Sequence, residues 1–441
     1  MAIDTPAKIA ILGAGPIGLE AALYARFLGY EVVVFEAGEV ADSVRRWGHV
    51  RMFTPFGMNR SPLGLAAIQA QDDAYRPPSD DELLTGREWV ERYLAPLSQS
   101  DLLADHIRTH TRVVAIGKEE LLKGDLGDNI DRGDWLFRLL VRDVEGLERI
   151  ERADALIDCS GVFGQATFVG HGGVPAVGEL EYQHLIDTRL PDILGKDRQH
   201  FAGKHTLLVG GGYSAATNAV SLAHLAREVR GTRVTWITRR EGPAGAGGPI
   251  AVIANDRLPE RAALAREANN LSKIGLAGTS PESTNGNEQA AARGVTYWPA
   301  TLVERIEGKV LSAADHVFTV ELSGRHTGTY SFDRILANTG FQPCRWMIEE
   351  LQIHRCYATE GPMKLAAALL GKQSADCLDQ TTCGPKTLLN PEPNYYILGA
   401  KSYGRKSNFL LPVGLNQIRE VFTIIGDRET LNLYANVKLP R

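Results

Sequence analysis

The 441-residue chain holds only five cysteines, Cys159, Cys344, Cys356, Cys377 and Cys383. The number is odd and no pair has C-x-x-C spacing, so no disulfide framework and no vicinal redox dithiol is expected. That usage suits a reduced, cytoplasmic setting. Long apolar runs are also lacking: none approaches the roughly 18–20 residues a membrane-spanning helix needs. Residues 1–6 lead straight into a strand-like run, so no signal peptide is expected. Neither sign of charge dominates. A net charge of −5, from 48 basic and 53 acidic residues, gives no reason to expect nucleic acid or an anionic membrane as partner. The eleven histidines are scattered without metal-ligand spacing, and no metal is expected. What remains is an ordinary globular composition, 44% apolar and 23% charged, in a chain long enough for two or three domains.

Glycine, by contrast, is placed with purpose. Gly13-Ala14-Gly15-Pro16-Ile17-Gly18 follows the apolar run 8–12 and opens an alanine-rich, helix-like run. Gly210-Gly211-Gly212-Tyr213-Ser214-Ala215 follows the run 206–209 in the same way. Each is a dinucleotide fingerprint in strand–turn–helix context. Glycine permits the tight turn, the approach of a pyrophosphate to the backbone and close packing of helix on strand. The helix N-terminus then offers free N–H groups and a positive dipole end. Gly13, Gly15, Pro16 and Gly18 are therefore expected to bind one dinucleotide, and Gly210, Gly212, Ser214 and Ala215 a second. The Ser214 hydroxyl suits either the pyrophosphate or a plain N-cap.

The order of elements predicts an α/β protein with two Rossmann-like dinucleotide-binding domains, the second inserted into a discontinuous first. Expected boundaries are 1–165, 166–334 and 335–441. In the first part, strands are expected at 9–12, 31–35, 112–117, 135–143 and 153–160, with helices at 18–28 and 80–97. The charged stretch 118–132 reads as a solvated hairpin tip. The second unit reads as strand 206–209, helix 214–229 and strand 233–238, then strands over 295–306, 318–322 and 334–338. Its stretch 241–292, built around one helix at 259–272 with a mobile tip at 275–287, reads as an insertion, because it is long for a βα connection. The last part carries strand 395–398 and helix 410–426.

Glu36 ends the strand after the first fingerprint. A carboxylate there accepts hydrogen bonds from ribose hydroxyls and repels a 2′-phosphate, which points to FAD or NAD. Arg239 and Arg240 occupy the corresponding place after the second, where planar guanidiniums suit a 2′-phosphate and point to NADPH. Two short repeats, Leu156-Ile157-Asp158-Cys159-Ser160-Gly161 and Ile335-Leu336-Ala337-Asn338-Thr339-Gly340, each end an apolar strand in a small hydroxylated residue and glycine. Ser160, Gly161, Thr339 and Gly340 are expected beside the cofactors.

With these motifs the chain resembles the flavin-containing monooxygenase group of the two-dinucleotide-binding-domain flavoprotein superfamily, over roughly residues 8–240 and 330–425. The resemblance implies that Arg46 and Trp47 lie where these enzymes carry a Gly-x-Trp element over FAD. It also implies that Asn59, in Phe53-Thr54-Pro55-Phe56-Gly57-Met58-Asn59, is the catalytic amide that holds the oxygenated flavin. The alternative for Asn59 is an Asx-turn residue. Val113 and Val114 match the strand whose backbone touches adenine. Asn408, Leu410 and Leu411 resemble the element of N-hydroxylating relatives that starts a helix aimed at the flavin ring. The Phe-x-Gly and histidine fingerprint of Baeyer–Villiger enzymes is not present.

The activity so implied is an FAD-dependent, NADPH-consuming monooxygenase. It would use O2 and a flavin C4a-hydroperoxide to oxygenate an amine or sulfur of a small molecule. Two alternatives stand beside it: a flavin-dependent NAD(P)H:acceptor reductase without oxygen insertion, and an electron-transfer flavoprotein subunit acting on a protein partner through 241–292. A homo-oligomer is compatible with each.

Overall fold

Four short apolar runs are each buried along nearly their whole length: β1 (Lys8–Leu12), β2 (Glu31–Phe35), β7 (Ala155–Asp158) and β15 (Tyr395–Ile397). Continuous apolar strands of this kind belong to parallel sheets covered on both faces. In the computed structural model, which describes residues 3–125, 131–243, 247–277, 294–310, 316–371 and 376–436, they form one parallel sheet. Its order is β15-β7-β1-β2-β3, where β3 is Ile107–Arg108. Side chains alternate across it. Ile9 and Ile11 pack on the helix side with Leu19, Leu23 and Phe422, whereas Ala10 and Leu12 pack on the other with Val113, Ile116 and Phe137. That second face is covered by the antiparallel sheet β4-β5-β6 (Arg112–Lys118, Phe137–Arg142, Glu148–Ala153).

The chain divides into two compact units. One comprises residues 1–165 and 342–441, and the other 166–341. The second return thus falls at 341/342, beyond the expected 334/335. The reason is strand pairing: β14 (Arg334–Ala337) lies parallel to β8 (His205–Val209) inside the second unit's sheet. That sheet is parallel with order β10-β9-β8-β14, where β9 is Arg233–Thr238 and β10 is Val295–Pro299. Beyond Ala300, whose φ is +51°, the chain continues as β11 (Thr301–Val310). This strand opens the antiparallel sheet with β12 (His316–Gly324) and β13 (Gly328–Phe332). The single strand expected over 295–306 is therefore two strands in different sheets.

Three further expectations change. The helix expected from residue 80 begins at Gly86, because Thr85 and Glu88 form a reciprocal capping box there. The 118–132 stretch is not a solvated tip at its ends. Lys118 is buried over the Phe137 ring, and Arg132 is buried against Glu392 at 2.9 Å; residues 126–130 lie outside those described. The supposed insertion holds the helix Pro259–Ala277, whose Ala265, Ala268 and Leu271 join the core beneath the helix Tyr213–Glu228. It is the crossover helix between parallel strands β9 and β10, so 247–277 belongs to the domain's own layer. The helix takes in the start of the expected tip, and residues 278–293 lie outside those described.

Candidate functional site

The three glycines of the first loop serve three different physical needs. Gly13 has φ +93°, a conformation that L side chains rarely adopt, and donates its N–H to Phe35 O at 2.7 Å. A Cβ on Gly18 would collide with Gly13 O, so this position lets the helix Pro16–Phe27 close onto the strand. Gly15 is the N-cap, with ordinary extended dihedrals (φ −76°, ψ −178°), and a Cβ there would meet nothing within 4 Å. Neither strain nor packing within the protein requires glycine at 15. The open space lies in front of uncapped helical N–H groups, which is the cradle a pyrophosphate needs.

The second loop repeats the pattern. Gly210 has φ +143° and donates to Ile237 O at 3.1 Å, and a Cβ on it would collide with Asn338 O. Gly212 is the N-cap, again extended, again with nothing within 4 Å of a Cβ. Ala215, in the place of Gly18, is fully buried. With Gly212 at the N-cap and Tyr213 first in the helix, Ser214 stands second, so the N-cap alternative for Ser214 does not apply.

Strand register aligns the two corners. Leu12 pairs with Phe35, and Val209 pairs with Ile237. Glu36 therefore corresponds to Thr238, with Arg239 and Arg240 in the next two positions. Glu36 accepts from Ala14 N–H and Gly38 N–H, both at 2.8 Å, and burial pushes its carboxyl up while those N–H groups oppose the rise. Thr238 shares a hydrogen bond with the Tyr297 hydroxyl at 2.8 Å and donates to Arg240 O at 2.7 Å. Arg239 and Arg240 are exposed. Segment 108–111 runs along the Glu36 corner, with Glu36 N–H on Arg108 O and Thr111 N–H on Glu36 O. It leads into Val113, buried, and Val114, half-buried at a register shift of β4.

Each Gly-ended repeat abuts its own loop. Cys159 N–H donates to Leu12 O at 2.9 Å, and Asn338 N–H to Val209 O at 2.7 Å. Gly161 (φ +70°) and Gly340 (φ +106°) turn the chain away, and Thr339 Oγ1 donates to Thr167 O at 2.7 Å. The C-terminal segment reaches the first loop too. A Cβ on Gly414 would collide with Ile17, the second residue of the first helix. Leu410 is the extended N-cap of the helix Leu411–Ile425, which has Pro412 in its first turn. Just before it, Asn408 Oδ1 is buried without a partner, a free acceptor beside an uncapped helix start.

Asn59 is buried in the first unit. Its amide nitrogen donates to Thr54 O at 2.9 Å and Pro55 O at 3.0 Å, and Trp89 Nε1 donates to Asn59 O at 2.8 Å. The side chain thus closes its own loop. Arg46 pairs with Asp42 at 2.6 Å, and Trp47 lies across Gly86 at the start of the helix that carries Trp89. Sequence reasoning missed a buried cluster at the end of β7. Asp158 meets Lys401 Nζ at 2.6 Å and the Tyr395 hydroxyl at 2.7 Å. Burial raises the Asp158 carboxyl, but the Lys401 charge prevails and holds it below the usual range. An acid within Leu156-Ile157-Asp158-Cys159 was the available signal.

Cys159, Cys344 and Cys356 form no disulfide. Burial and then the Asp158 charge push the Cys159 thiol well up, away from a reactive thiolate. Among the described residues no group of His, Cys, Asp and Glu could hold a metal, and no helix is long and apolar enough to cross a membrane.

Residues 10–122 match the family described as Pyridine nucleotide-disulphide oxidoreductase. Ferredoxin--NADP reductase 1 from Cupriavidus taiwanensis is 26% identical over 247 residues, which span 56% of this chain and 56% of that protein. Among solved structures, bacillithiol disulfide reductase from Bacillus cereus superposes with a TM-score of 0.64 at 15% identity, covering 96% of this chain and 99% of that one. The cadaverine monooxygenase of desferrioxamine biosynthesis from Erwinia amylovora, solved with FAD, gives 0.59 at 13% identity, with 99% of each chain covered. These likenesses establish the fold over nearly the whole chain. That fold sets two glycine loops on two parallel sheets, with the second unit inserted into the first.

Proposed function

We propose that the protein is an FAD-dependent oxidoreductase that takes hydride from NADPH, with FAD in the first unit and NADPH in the second. One observation carries this reading. Both loops leave an open space at their N-cap glycine, Gly15 and Gly212, while the adjoining corners differ in charge, Glu36 in one and Arg239 with Arg240 in the other. A carboxylate suits the free ribose hydroxyls of FAD, and paired guanidiniums suit a 2′-phosphate. When bound, FAD supplies hydride acceptance and reactivity toward O2. The chain's own groups do the rest: loop N–H groups and helix N-termini hold phosphates, Glu36 orients ribose, and the start of helix Leu411–Ile425 with Asn408 offers polar groups to the ring.

The finer reading is monooxygenation of an amine or sulfur of a small molecule. One NADPH and one O2 are consumed; one oxygen atom enters the product and the other leaves as water. The lack of any C-x-x-C pair in the sequence supports it over disulfide reduction. The match to a ferredoxin--NADP reductase favours the second reading, transfer of electrons to another acceptor without oxygen insertion. Oxygen uptake with NADPH and a panel of amines and sulfides separates them. The monooxygenase is expected to yield product with little peroxide, and Asn59→Ala to convert that yield into peroxide while NADPH-driven flavin reduction stays near the parent rate. All electrons recovered as peroxide across the panel, in the parent, would contradict monooxygenation.

A further inference from the structure

The carboxyl end of β7 carries charge where its counterpart in the second unit carries none. Register aligns Asp158 with Ala337, since Leu12 pairs with Asp158 and Val209 pairs with Ala337. Asp158 is fully buried, and Lys401, which neutralises it, is 2% exposed. Such a pair contributes little net stability, because desolvation offsets the attraction, and apolar side chains of similar volume would fill the space as well. What the pair adds is direction. Asp158 Oδ1 accepts from the Ser160 N–H at 3.1 Å and the Ser160 hydroxyl at 2.6 Å, and Oδ2 accepts from Lys401 Nζ and the Tyr395 hydroxyl. Lys401 Nζ also donates to Ser160 Oγ at 3.1 Å.

The turn fixed in this way is the wall of the first glycine loop. A Cβ on Gly13 would lie 2.9 Å from Cys159 O and 3.1 Å from Ser160 Cα. On its other side, Lys401 belongs to the short turn Gly399–Tyr403, and Gly399 stands against Ile17 of the first helix. Gln417, from the helix Leu411–Ile425, ties that turn down by accepting from Gly399 N–H at 3.0 Å and donating to Ser402 Oγ at 2.9 Å. One buried pair therefore joins the glycine loop, the Ser160 turn and the segment leading to the last helix.

We infer that Lys401 and Asp158 are a positioning pair for FAD: they hold the Ser160 turn and the Gly399–Tyr403 turn at the spacing that keeps the first glycine loop open to the pyrophosphate. The inference rests on the assignment of FAD to the first unit. The test uses the full chain stripped of flavin. FAD is titrated back by fluorescence into the parent and into Asp158→Asn/Lys401→Met, which removes both charges while the new amide at 158, of similar volume, keeps hydrogen-bonding groups toward Ser160 and Tyr395. The double variant is expected to keep the parent's flavin-free melting temperature and its binding of 2′,5′-ADP, yet to bind FAD at least tenfold more weakly. Parent-like FAD affinity overturns the positioning role. So does a flavin-free melting temperature that falls together with affinity, which would assign the pair to the fold. A parent that binds no FAD overturns instead the assignment on which the inference rests.

Discussion

At the scale of single residues, the glycines separate ligand from fold. Gly15 has dihedrals any residue adopts and empty space where a Cβ would stand. Gly15→Val should therefore leave the flavin-free protein at its parent melting temperature and abolish FAD retention. Gly18→Ala should do the reverse in origin, lowering stability first, because its Cβ meets Gly13 O. Full flavin content in purified Gly15→Val would remove this loop from the site. Glu20 offers a pH test. It is buried beside Ser61 and Tyr434, and burial, opposed by hydrogen bonding from both, pushes its carboxyl from the ordinary 4.5 up to about 7. Between those values the folded state keeps the proton and the unfolded state has lost it. Stability thus falls as pH rises from 4.5 through 7 and is level above, by up to about 3 kcal/mol at about 1.4 kcal/mol per unit. Glu20→Gln should flatten this slope and raise the melting temperature at pH 8. An unchanged slope would mean that Glu20 is ionised throughout.

At the scale of elements, what was legible depended on whether the signal was local. Both glycine loops, their strands and their helices followed from glycine spacing and apolar runs, and the strand-corner places of Glu36 and Arg239 from their distance beyond. The start of the helix at Gly86 was missed because the acidic residues 80–82 resembled a first turn, while the true cap was Thr85 with Glu88. The crossover helix Pro259–Ala277 was taken for an insertion because alanines carry its buried face, a weak apolar stripe that gains meaning only against the helix Tyr213–Glu228. Lys401 carries no local signal, since its partner Asp158 lies 243 positions away and no local pattern records that contact. The β9 corner also carries a test of cofactor choice. Arg239→Ala/Arg240→Ala should weaken NADPH by roughly 10- to 100-fold, the usual range for lost charge-assisted contacts, and leave NADH nearly unchanged. Equal losses for both nucleotides would assign the arginines to the shared pyrophosphate or to folding.

At the scale of the whole molecule, the two units are of like construction and unlike charge at their loop corners, and the proposed function gives FAD to the first and NADPH to the second. The direct measurement is anaerobic mixing of the purified, FAD-loaded protein with NADPH in a stopped-flow spectrophotometer, followed by oxygen. The account predicts that NADPH bleaches the flavin's visible absorbance in a single turnover, that NADH does so far less well, and that oxygen restores the absorbance. A flavin that stays oxidised under excess NADPH, or a protein that holds no flavin at all, would contradict it.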